Sequence, residues 1–170
     1  MAGDPGLFVV DDSFADRLKD AMERAGRLLS VRARTEREVR DRLLAADFEA
    51  AVVEQTITRL DELGLLDDLD FAREWIKDRS ARKNLGPRAL RSELASKGID
   101  RDVIDRALEA EGLDEEELAT RAATDWVRKV ARFPLAEQAH KLQQMLLRKG
   151  FSFEAAQAGA RAVLPPEGWD

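Results

Sequence analysis

Apolar residues recur at helical spacing along almost the whole chain. Leu18, Ala21, Met22, Ala25, Leu28 and Leu29 make one stripe, and Thr35 with Glu38 forms a capping box that opens a second helix. Ala50, Val53, Ile57 and Leu60 trace a third, which closes where Gly64 can take left-handed backbone. The joint that follows, GLLDDLDFAREW (64–75), predicts buried linker residues at Leu65 and Leu66 and an N-terminal cap at Asp67 or Asp68. The next stripe is Phe71, Ala72, Trp75 and Ile76, a spacing that reads as core. Pro87 then sits in the first turn of a helix after NLG, and this region ends around Leu108. Asp114 and three glutamates open a helix carrying Leu118, Ala122, Trp126 and Val130; the chain reopens at Pro134 and stops at Pro165 and Pro166.

The stripes repeat. DRLLAADFEAAVV (41–53), SELASKGIDRDVI (92–104) and QMLLRKGFSFEAA (144–156) share one pattern, with a period of about 51 residues. Leu43, Leu94 and Leu146 precede a turn; Asp47, Gly98 and Gly150 sit in it; Phe48, Ile99 and Phe151 follow as apolar plugs. Upstream, Val39, Leu90 and Leu142 keep step. The expected architecture is therefore all-α: three tandem three-helix repeats over 15–64, 65–112 and 113–164, forming an elongated, curved, solenoid-like array. A loose segment is expected over 1–14 and a tail over 165–170, with Trp169 folded back onto the last repeat.

Composition narrows the chemistry. With no cysteine and His140 as the only histidine, disulfides, thiolate zinc sites and histidine-based catalysis are all unsupported. The 34 acidic residues give no basis for choosing a catalytic pair, so neither enzyme activity nor a cofactor or metal is expected. Apolar runs fall far short of the roughly 20 residues that cross a bilayer, and MAGDPGLF lacks the layout of a secretory signal. A cytoplasmic monomer without membrane contact is the expectation.

The net charge of −6 averages opposed blocks. Residues 24–42, 72–101 and 121–149 are basic, whereas 47–70 and 102–118 hold one basic residue each against eight acidic ones. Basic charge falls on the first two helices of each repeat, and acidic charge on the third helix and the joints. Stacked repeats would merge these into two surfaces of opposite sign, fit to lie against a polyanion or a filament. A DNA-reading helix-turn-helix at SKGID is disfavoured. Its second helix would bring Asp100, Asp102, Asp105, Glu109 and Glu111, against Arg101 and Arg106, up to phosphates.

Three segments, LLSVRARTEREVRDRL (28–43), GLLDDLDFAREWIKDR (64–79) and LGPRALRSELASKGID (85–100), resemble the RecX family of bacterial regulators of the recombinase RecA, with a weaker echo in KLQQMLLRKGF (141–151). The resemblance implies a non-enzymatic modulator, mainly an inhibitor, that lies in the groove of the RecA–single-stranded DNA filament. Such a protein restrains ATPase, strand exchange and filament growth in recombination and repair. Candidate contacts are Arg79, Arg82, Lys83, Arg88, Arg91 and Lys97 in the middle repeat, with Arg32, Arg34 and Arg37 in the first, on the ground of charge and predicted exposure. The alternative is a module that binds nucleic acid directly, without RecA.

Overall fold

A computed structural model describes residues 12–168. Trp169 and residues 1–11 lie outside the described residues, as do the expectations placed on them. Among the described residues there are nine α-helices and no strand: α1 (Asp12–Val31), α2 (Glu36–Leu44), α3 (Ala50–Glu62), α4 (Asp68–Lys83), α5 (Pro87–Ser96), α6 (Arg101–Glu111), α7 (Glu115–Val130), α8 (Leu135–Arg148) and α9 (Phe153–Val163). A single 3-10 turn, Pro166–Gly168, follows. Residues 12–14, expected in the loose leader, instead form the first turn of α1. None of the described helices is long and apolar enough to cross a membrane.

The repeated pattern has one physical cause. Each second helix carries a buried leucine in its last turn (Leu43, Leu94, Leu146), with a residue at positive φ four positions later: Asp47 at 60°, Gly98 at 80° and Gly150 at 89°. The amide of the next apolar residue then donates back five positions: Phe48 to Leu43, Ile99 to Leu94 and Phe151 to Leu146, each at 3.3 Å. This is the Schellman arrangement, in which the left-handed residue closes the helix and presses the following apolar side chain onto the leucine it has just passed. Gly64, at φ 67°, ends α3 in the same way, with Leu65 donating to Leu60 at 2.8 Å.

Chain packing divides the molecule into two compact units, residues 1–68 and 69–170. In the first, α1, α2 and α3 close around Ala21, Ala25, Val39, Leu43, Val52, Val53 and Leu60. Thr35 is buried and its hydroxyl accepts from the Glu38 amide at 3.2 Å, as the capping box predicts. Arg17 reaches across from α1, donating to the Asp47 carbonyl at 2.6 Å and lying 4.5 Å over the Phe48 ring. The joint departs from expectation at one point. Leu66 is buried but Leu65 is 55% exposed, because the reversal at Gly64 turns only one of the pair inward. The Asp68 carboxylate accepts from the Glu36 amide at 3.0 Å, so it caps the start of α2.

The second unit holds two apolar clusters. One lies among α4, α5 and α6 around Ala72, Ile76, Leu90, Leu94 and Ile104; the other lies among α7, α8 and α9 around Ala122, Trp126, Leu142, Leu146 and Phe151. Backbone locks them together. Gly86, in the α4–α5 connection, donates to the Lys149 carbonyl at 2.8 Å, and Arg88 donates to Gly150 at 3.1 Å. A Cβ on Gly86 would stand 2.6 Å from the Gly150 carbonyl carbon, and one on Gly150 would collide with the Ala89 backbone. Arg121 adds a bond to the Ser80 carbonyl at 2.7 Å, and Asn84 one to Asp125 at 2.9 Å.

Candidate interface

Helix α4 carries Phe71, Trp75 and Arg79 four apart, hence on one face, while Ala72 and Ile76 point into the core. The Phe71 and Trp75 rings stack with centroids 5.8 Å apart and 17° between planes. The Arg79 guanidinium lies 4.0 Å over the indole, and the Lys97 ammonium, from the end of α5, lies 4.4 Å from it. The indole N–H donates to the Glu93 carboxylate at 2.8 Å, and Arg79 approaches the same carboxylate at 3.5 Å. Each cation over a ring contributes about 0.5–2 kcal/mol, depending on how well it is desolvated. Phe71 and Trp75 are thus half-buried, not core: their inner edges pack on the α4–α6 cluster and their outer faces carry cations.

The nine predicted contact residues do not form one group. Arg79 and Lys97 meet on Trp75, so Arg79 is only 22% exposed on its side chain and Lys97 is half-buried. This corrects the expectation that both are open to solvent. Arg82 is well exposed, 2.9 Å from Asp78, and Lys83 is exposed at the end of the same helix. Arg88 and Arg91 line a cleft of about 270 Å³ with Pro87, Glu115, Gly150 and Ser152. Arg91 is ion-paired to Asp105.

In the first unit, Arg32 and Arg34 lie in the α1–α2 connection and Arg37 on α2. Arg32 and Arg34 share a cleft of about 200 Å³ with Glu38, Asp41 and Arg42. Arg32 pairs with Glu38 at 3.0 Å and Arg37 sits 3.8 Å from Asp41. Arg34 turns inward to donate to the Leu28 carbonyl at 3.1 Å. Its partial burial, with Arg32 close by, lowers its pKa from the ordinary arginine value. It is a strut between helices and not an open contact.

Part of the charge segregated along the sequence is reunited within a three-helix module. Arg40 on α2 bonds Glu54 on α3 at 2.8 Å, and Arg91 on α5 pairs with Asp105 on α6, at positions 51 residues further on. Arg73 on α4 bonds Glu111 on α6 at 2.8 Å. The hydrogen bond from Arg40 holds the Glu54 carboxyl below its usual pKa, while the bonds to Glu54 and Glu36 raise that of Arg40. In the third module the corresponding positions are Gln143 and Gln157, both uncharged.

A second aromatic–cation site was missed in the sequence although the register points to it. Trp126 follows Trp75 by 51 positions and Lys149 follows Lys97 by 52. Lys129 and Lys149 lie 5.7 and 5.8 Å from the Trp126 ring. Trp126 reads as core from its stripe, and it is 91% buried, so only the register between repeats reveals the lysines gathered beside it.

The architecture is that of an all-α protein built from tandem three-helix modules, and comparison with known proteins specifies the family. The model of the first RecX three-helix domain matches residues 21–60, and that of the second matches 67–108. The chain is 38% identical over 130 residues to the regulatory protein RecX of Mycobacterium marinum, covering 74% of each. It is 34% identical over 143 residues to that of Levilactobacillus brevis, covering 84% of this chain and 54% of the relative. The chain thus spans about half the length of the latter protein. A crystal structure of a regulatory protein RecX superposes with a TM-score of 0.77 at 30% identity, over 86% of this chain and 73% of that one. RecX from Lactobacillus salivarius also gives 0.77, at 26% identity, over 84% and 93%. The chain belongs to the RecX family.

Proposed function

We propose that this chain is a non-enzymatic regulator that binds the filament of a RecA recombinase on single-stranded DNA and restrains its ATPase, strand exchange and growth in the cytoplasm. The observation that carries this reading is family membership, with both three-helix domain models matched in order. The second unit supplies surface chemistry that supports it. Lys83 and Arg88 are exposed, and among the described residues neither is held by a carboxylate of its own chain, so both are free for an external anion.

The test is binding of the full chain to RecA filaments alongside binding to free single-stranded DNA. The variant Lys83→Glu/Arg88→Glu is expected to lose about tenfold or more in filament affinity, because rim charges steer and hold a charged partner. Its melting temperature should stay within about 2 °C of the parent, as for surface changes generally. Equal filament affinity in the two proteins excludes this face. Binding to free DNA of the same strength, with a steep salt slope and no need of RecA, replaces the reading with direct nucleic-acid binding.

A further inference from the structure

The Trp126 site differs from its counterpart at Trp75 in one chemical respect. At Trp75 a carboxylate stands at close range: Glu93 accepts from the indole N–H and lies 3.5 Å from the Arg79 guanidinium. Fifty-two positions later Glu93 is replaced by Met145, and the pocket of about 240 Å³ between α7 and α8 is walled by Trp126, Lys129, Met145, Arg148 and Lys149. No carboxylate lines it. Among the described residues, none of Lys129, Arg148 and Lys149 has an ion-pair partner, whereas Arg40, Arg73 and Arg91 in the other modules each have one. Three uncompensated cations around an apolar floor repel one another and attract an anion.

We propose that the pocket formed by Trp126, Met145, Lys129, Arg148 and Lys149 is a docking site for an acidic segment of a partner protein, one that presents an apolar side chain flanked by carboxylates. The apolar side chain meets Met145 and the indole edge, and the carboxylates pair with the three cations. Met145 suits this task because its unbranched thioether adapts to different apolar shapes. A nucleic acid fits less well. Single strands are gripped by stacking bases on exposed rings, but Trp126 is only 9% exposed and has lysines beside its ring. The volume lies below the ~300 Å³ at which small-molecule sites begin, as befits one or two side chains. This inference goes beyond the filament reading, because a peptide alone tests it.

The experiment uses the full chain labelled with ¹⁵N, with the Trp126 indole signal assigned by comparison with Trp75→Phe and Trp169→Phe. The probe is a capped peptide, Glu-Glu-Leu-Phe-Glu-Glu, titrated with and without oligothymidylate. The Trp126 signal is expected to shift saturably, and Lys129→Gln/Lys149→Gln should weaken the peptide about tenfold while oligothymidylate leaves it in place. Three results would each overturn the proposal: an unmoved Trp126 signal in the parent at millimolar peptide, equal peptide affinity in the double variant, or displacement of the peptide by oligothymidylate. The parent titration needs no variant of the pocket, so a misfolded double variant does not blunt it.

Discussion

Gly150 and Gly64 share left-handed backbone but stand in different surroundings. A Cβ on Gly64 meets nothing within 4 Å, whereas one on Gly150 collides with Ala89 across the contact that locks the two halves of the second unit. Gly64→Ala is therefore expected to cost about 1 kcal/mol, the backbone strain alone. Gly150→Ala adds overpacking against rigid backbone and should cost about 3 kcal/mol or more. Urea unfolding of both variants checks the difference, and similar costs would mean the close approach is unimportant. Asp47 holds the equivalent turn position at φ 60°, so Asp47→Gly is expected to stabilise the first unit by a few tenths to about 1 kcal/mol. At this scale the sequence was informative. A glycine or aspartate between a leucine and an aromatic or isoleucine is the visible trace of a Schellman turn. What it hid was the contact between Gly150 and Ala89, which depends on packing across 61 positions.

At the scale of elements, the apolar stripes located the helices well because each three-helix module buries one face of each helix. Charge was harder to read. Oppositely charged blocks along the chain suggested two long stripes, but Arg40, Arg73 and Arg91 each spend their charge on a carboxylate of the same module's third helix. The signal for that pairing was present, since Arg40 and Glu54 recur as Arg91 and Asp105. The inward turn of Arg34 had no such signal, because it depends on where the end of α1 lies. The Arg40–Glu54 bond also has a pH signature. With its carboxyl pKa lowered in the folded state, Glu54 adds stability above the unfolded glutamate value of about 4.3, and that stability is lost as pH falls through the lower folded value. Arg40→Gln should thus lower the melting temperature slightly at pH 7 and converge on the parent in acid. The gap corresponds to a few tenths of a kcal/mol, given how exposed the pair is. A gap that widens toward pH 3 contradicts the assignment.

For the whole molecule, the family was legible because its segments combine turn, cap and core requirements at fixed spacing. The chemistry proposed to meet a partner was only partly legible. Exposure separates Lys83 and Arg88 from Arg79 and Arg34, and that depends on the folded surface. The central claim is regulation of RecA, and it is tested most directly by measuring RecA ATPase on single-stranded DNA with this chain well below one molecule per RecA subunit. The account predicts strong inhibition at that ratio, as groove or filament-end occupancy requires. Unchanged ATPase with the folded chain present at equimolar concentration would contradict it.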